Sequence, residues 1–240
     1  MKLPITLLAA LGAAASAHAQ IVYTQNFEAP VGAEWSNTTT SVTPIGARAF
    51  LGEFGNQTVS LDLTGLPAHG QVTISFDLFA IRTWDGNGTG PGDEDNFIVR
   101  LGDGVTQTDA LNTTFSNENN PLGTLFQAYP DSLASALTHP QKTGADEINS
   151  LGYTFGGDPT DTVYNLSFTV AHTSTDFRAD FQGILNQAIG DESWGLDNVT
   201  VSVSAVPEPG EYAAVFGLGL AGVAAWRRRA REQAGNVQAA

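Results

Sequence analysis

The chain contains no cysteine in 240 residues. Disulfides, thiolate catalysis and every zinc or iron–sulfur centre built on cysteine are therefore excluded. An exported chain of this kind must be held by an apolar core of adequate size. Positive charge is also scarce: ten Lys and Arg stand against twenty-five Asp and Glu, a formal charge of −15. Phosphate backbones are held by basic surfaces, so nucleic acid is excluded as a partner. Catalytic signatures are missing as well, with no G-x-S-x-G, no H-E-x-x-H and no P-loop. His69, His139 and His172 have no base–nucleophile or ligand spacing around them. They are expected to be surface or loop residues, and no catalytic residue is assigned.

What the chain does have begins at its two ends. "MKLPITLLAALGAAASAHAQ" opens on Lys2, continues through the apolar stretch Leu3 to Leu11, and reaches the small-x-small triplet Ala17-His18-Ala19. This is the order of a secretory signal peptide over residues 1–19, with cleavage expected after Ala19. The other end reads "VPEPGEYAAVFGLGLAGVAAWRRRAR". Tyr212 to Trp226 carries no charge, and Arg227, Arg228, Arg229 and Arg231 follow at once. That run is short for a bilayer, which takes ~17–25 residues, but snorkelling arginines and local thinning extend its reach. A C-terminal transmembrane helix is expected, with the arginines on the cytoplasmic side. Gly217, Gly219 and Gly222 spell a dinucleotide-binding fingerprint, but Pro-Glu-Pro stands where that motif needs a strand. Small residues in a membrane helix account for them better.

Val206-Pro207-Glu208-Pro209, then an apolar stretch, then an arginine cluster resembles the PEP-CTERM sorting signal, here over residues 206–231 with a short tail at 232–240. The resemblance implies export, transient anchoring in the inner membrane and processing by an exosortase. It also implies a destination at the cell surface or in extracellular polysaccharide. Pro207, Glu208, Pro209, Arg227, Arg228 and Arg229 would be recognition residues. The two prolines bias the backbone to an extended form that suits a peptidase cleft. A plain tail anchor with a stiff linker is the competing account.

Residues 20–205 make the body, with five basic and twenty-two acidic residues. Period-two alternation marks strands in "QVTISFDLF" (Val72, Ile74, Phe76 and Leu78 inward) and in "VYNLSFTVA" (Tyr164, Leu166, Phe168 and Val170). It recurs in "LDNVTVSVS" (Val199, Val201 and Val203), while "TVSLDLTG", "NFIVRLGDG", "ALNTTFS" and "DFRADFQG" are shorter candidates. The one helix candidate is residues 130–139. Many strands with turn-rich joints give an all-β fold, a β-sandwich. The segment from Ser75 through Trp84-Asp85-Gly86 to Gly104, with "DESWGLDNVTVSV", resembles jelly-roll, lectin-like domains of bacterial surface proteins.

"DGNGTG", starting at Asp85, puts oxygen ligands at alternate positions beside a turn glycine, as calcium loops do. Position twelve would be Asn96, so it is no EF-hand. The candidate calcium ligands are Asp85, Asn87, Asp93, Asp95, Asp191 and Asp197, with Glu192 adjacent; a solvated Gly/Asp turn is the plainer account. Trp84 and Trp194 flank these loops and could stack on a sugar ring, although tryptophans more often cap a core. The expectation is a non-catalytic matrix or polysaccharide-associated protein. A calcium-supported lectin-like module is the first alternative, and a secreted glycan hydrolase with two carboxylates across a cleft is the second.

Overall fold

A computed structural model describes residues 19–88, 92–117, 125–135, 138–205 and 219–228. Strand follows strand: β1 (Ala19–Gln25), β2 (Thr40–Val42), β3 (Ala49–Phe54), β4 (Gln57–Leu63), β5 (His69–Arg82), β6 (Asn96–Gly102) and β7 (Gln107–Thr114). After these come β8 (Glu147–Ile148), β9 (Thr154–Phe155), β10 (Asp158–Pro159), β11 (Asp161–Ala171), β12 (Phe177–Ile184) and β13 (Glu192–Ala205). One large sheet runs β2-β3-β13-β5-β11-β8, with β1 also on β13, a second runs β4-β12-β6-β7, and β9 pairs with β10 in a two-stranded sheet of their own. The β11–β5, β13–β3, β12–β4, β12–β6 and β6–β7 ladders are antiparallel. Successive strands from β3 to β6 alternate between the sheets, as do β11 to β13. The β-rich expectation holds.

Alternation explains the core. Val72, Ile74, Phe76 and Leu78 of β5 are buried and face Val59, Leu61, Val99, Ala179 and Phe181 of the opposite sheet in one cluster. Phe76 and Phe181 meet edge to face, with centroids 5.0 Å apart and planes at 84°, a preferred aromatic geometry. A smaller cluster of Phe50, Phe79, Ile81, Leu151, Tyr153 and Val163 covers the far end of the first sheet. Asp161 anchors that cover: its buried carboxylate accepts the backbone N–H of Leu151, Gly152 and Tyr153 at 3.0–3.1 Å.

In β13 the inward face changes parity. Trp194 and Leu196 are buried at even positions, and Val199, Val201 and Val203 at odd ones. The switch falls at Asn198, whose φ of 50° is left-handed, a conformation in which Asn is enriched.

The helix expected over 130–139 is not formed. Only a three-residue 3₁₀ turn, Leu133–Ser135, is described there. Leu133 is exposed and offers no apolar stripe to the core. The backbone of His139 instead exchanges both hydrogen bonds with Gln127.

Residues 219–228 form a helix by themselves, with Leu220, Val223 and Trp226 exposed. Among the described residues no helix is long and apolar enough to cross a membrane. The signal-peptide segment up to residue 18, the Pro207-Glu208-Pro209 motif, Arg229 and residues 212–218 of the uncharged run lie outside the described residues.

Candidate functional site

The acidic loop is built from β5 outward. Trp84 roots it: the ring is fully buried and its Nε1–H donates to the Ser193 carbonyl at 2.8 Å. The Thr83 N–H donates to the Asp191 carbonyl at 3.0 Å. Gly86 and Gly88, both at φ 64°, then turn the chain back. A β-carbon on Gly86 would lie 2.2 Å from the Phe126 carbonyl oxygen, so both the angle and the space require glycine. Asp95 N–H donates to the Gly86 carbonyl at 2.9 Å, and Asp85 N–H donates to Asp95 Oδ2. Across the gap, β13 starts at Glu192.

The result is a cluster of Asp85, Asp95 and Glu192, each offering an oxygen within 4.8 Å of the others. Asp95 and Glu192 are fully buried and Asp85 is half-buried. Gln187 supports the cluster, its backbone N–H donating to Glu192 Oε2 at 3.2 Å and its side-chain amide to Asp85 Oδ2 at 3.1 Å. Burial pushes the Asp95 carboxyl up, and the neighbouring Asp85 carboxylate adds to the rise. Burial likewise pushes Glu192 up, with the Asp95 charge second. Proximity of negative charge in a dry site has this effect.

Two of the six expected calcium ligands, Asp85 and Asp95, are thus brought together. The other four are not. The Asn87 side-chain oxygen accepts the Thr114 hydroxyl. Asp93 packs against Gly88, and the Asp191 carboxylate accepts the Thr83 hydroxyl at 2.6 Å. Asp197 lies past the cluster on β13, 3.7 Å from Arg48. Glu192, named beside the six as an adjacent acid, completes the cluster. The signal for it is strand parity: Glu192, Trp194 and Leu196 fall on one face, so a buried Trp194 carries Glu192 inward.

The sugar-stacking role of Trp84 and Trp194 is overturned. Both are 0% exposed, so neither ring offers a face to a ligand. Trp194 Nε1–H donates to the Gly55 carbonyl at 2.9 Å, and its ring packs edge-on to Phe54 and Phe97. Gly183 makes room, since a β-carbon there would meet Trp194 at 2.4 Å. Of the histidines expected at the surface or in loops, His69 opens β5 and His172 follows β11 in a loop, and neither is at the surface. His69 and His172 are buried, stacked, and joined Nε2 to Nδ1 at 2.7 Å.

A second feature lies at the lateral edge of the sandwich. An open groove of about 660 Å³ runs between β7 and β11, lined by Asp109, Asn112, Tyr129, Asp131, Asn165 and Phe168 among others. It forms because β8 pairs with β11 only at Thr162 and Val163, leaving the rest of that edge uncovered. Arg100 Nε donates to Asp109 Oδ1 at 3.0 Å, and His139 Nε2 lies 2.7 Å from Asp131 Oδ2. The second oxygen of each carboxylate remains to serve as an acceptor.

No family model matches the chain, and no curated protein matches it. Among solved structures, a cleaved adhesin domain of Lys-gingipain from Porphyromonas gingivalis is 15% identical, with 77% of this chain and 99% of that one covered at a TM-score of 0.38. The C-terminal CBM6 of a laminarinase from Zobellia galactanivorans is 10% identical, with 75% and 98% covered at a TM-score of 0.34. The chain spans only 17% of a family GH115 4-O-methyl-α-glucuronidase, at 14% identity, 76% of its own length and a TM-score of 0.35. At these scores the likenesses carry no functional argument.

Proposed function

We propose that the chain is an exported, non-catalytic, jelly-roll-like sandwich that associates with polysaccharide at the cell surface. The groove between β7 and β11 carries this reading. It joins an apolar floor at Tyr129, Leu166 and Phe168 to rim carboxylates and amides at Asp109, Asn112, Asp131 and Asn165. That mixture is what a hydroxyl-rich chain needs: hydrogen bonds at its edge and contact along its faces. The two carboxylates disfavour uronic acids, so the ligand is a neutral glycan. Glycoside hydrolysis needs one carboxyl to protonate the leaving oxygen, whereas Asp109 is tied to Arg100 and Asp131 to His139.

Delivery to the surface rests on residues 206–231. Export through the signal peptide, transient anchoring and exosortase processing follow from the order of Pro207-Glu208-Pro209, apolar run and arginines. An intact mass ending near Pro209 on the secreted protein supports this. A chain retained in membranes through Ala240 counts against it.

Affinity electrophoresis against neutral and uronate-containing polysaccharides tests the groove. Retardation by a neutral glycan is expected, with the Asn112→Ala/Asn165→Ala pair binding at least about tenfold more weakly, the equivalent of ~1.4 kcal/mol. No retardation by any neutral glycan would sink the binding role. Release of reducing ends by the purified chain would restore the hydrolase.

A further inference from the structure

Three carboxylates converge where the loop between β5 and β6 meets the start of β13, and convergence alone assigns nothing. A second observation does. Asp95 Oδ1 and Glu192 Oε1 are buried without any hydrogen-bond donor, on residues that are 0% exposed. Buried polar atoms are normally satisfied, and here two orphaned acceptors sit in the same cluster.

The Asn186 backbone N–H acts on the Asp95 carboxylate but leaves Oδ1 without a hydrogen bond, and the other nearby donors are committed elsewhere. Asp85 N–H goes to the other oxygen of Asp95, and Gln187 N–H goes to the other oxygen of Glu192. Trp84 Nε1–H goes to Ser193. Arg82, the cation closest in sequence to this loop, donates to Glu53, the Ser193 hydroxyl and the Ile189 carbonyl. What the two oxygens lack is a positive centre with no directional demand.

We propose that Asp85, Asp95 and Glu192 form a calcium site. An all-oxygen, anionic ligand set selects a hard divalent cation over zinc or copper. Burial then separates calcium from magnesium. Magnesium dehydrates reluctantly and keeps several waters, whereas calcium accepts irregular shells of protein oxygens. The ion bridges the loop after β5 to the first residue of β13 and so staples one end of the sandwich. The proposal is independent of glycan binding. The rival occupant is a proton shared between Asp95 and Glu192.

The test is a thermal melt of the whole chain in mild detergent, with EDTA, magnesium chloride or calcium chloride at matched ionic strength, alongside equilibrium dialysis for bound calcium. Calcium is expected to raise Tm by roughly 5 °C and magnesium to do little. Glu192→Gln is expected to abolish the calcium response and, in EDTA, to melt at or above the wild type, because it removes an unpaired charge. Asp85→Asn supplies the same readout should Glu192→Gln fail to fold. Asp197→Asn, outside the cluster, should keep the full response. Identical wild-type melts in all three solutions overturn the site in favour of the shared proton. A calcium response surviving Glu192→Gln, or lost in Asp197→Asn, reassigns the binding to diffuse surface charge and overturns it equally.

Discussion

Asp197 is where a single side chain controls a measurable property. It is 5% exposed and has Arg48 at 3.7 Å, while Arg48 is also shared with Asp77 at 3.6 Å and Glu147 at 3.1 Å. One guanidinium cannot neutralise three carboxylates, and burial is the larger influence, so the Asp197 carboxyl is pushed up to about 6. Asp77 is raised for the same reason. The sign follows from linkage. Between the ordinary value near ~4 and about 6, the native state holds a proton that the unfolded chain has released. Stability from this group is therefore present below that window and falls as pH rises through it. Urea denaturation from pH 4 to pH 7 should show Asp197→Asn gaining on the wild type by roughly 2 kcal/mol across the interval, since the amide has no charge to bury. A constant difference between the two proteins from pH 4 to pH 7 would mean that the native state tolerates the charged form.

At the scale of the element, period-two strands were the legible part. β5, β12 and the second half of β13 point inward the residues that alternation selects, because each has one apolar sheet face to cover. β11 obeys the rule only as far as Leu166. Phe168 and Val170 are half-buried: Phe168 borders the open groove, and Val170 borders a separate recess beside Leu101, Thr108 and His172. Parity in β13 could not be carried through from one end, because the left-handed Asn198 resets it. Glu192 and Asp197 both precede that reset and differ in parity, so ordinary strand alternation sends them into different surroundings. The burial of Trp194 depended on a distant glycine, Gly183, which no local pattern connects to it. The inter-sheet contact gives the corresponding prediction. Phe181 is 0% exposed and packs against Trp35 and Phe76, so Phe181→Ala should cost about 3–5 kcal/mol in denaturant melts. A loss under ~1 kcal/mol would mean the sheets close over the missing ring and are not held apart by it.

Over the whole molecule, charge is segregated. The body carries five basic residues, Arg48, Arg82, Arg100, Lys142 and Arg178, against twenty-two acidic ones. The four arginines are engaged: Arg48 with three acids, Arg82 with Glu53, Arg100 with Asp109, and Arg178 with Asp62 and Asp180. Among the described residues these arginine pairs take up seven carboxylates, so acids far outnumber cations and repel one another over the surface. Two effects of salt compete. Screening weakens the surface ion pairs, each worth ~0–1 kcal/mol, and it also weakens the repulsion among the more numerous acids. The excess of acids decides the sign. Taking sodium chloride from about 10 mM to about 150 mM shortens the Debye length from ~30 Å to ~8 Å, and Tm should rise by a few degrees, equally in potassium chloride. Calcium chloride at the same ionic strength should add a further, saturable rise, which separates a bound ion from the screening cloud. A Tm that falls with sodium chloride would show instead that the few arginine pairs outweigh the acidic surface.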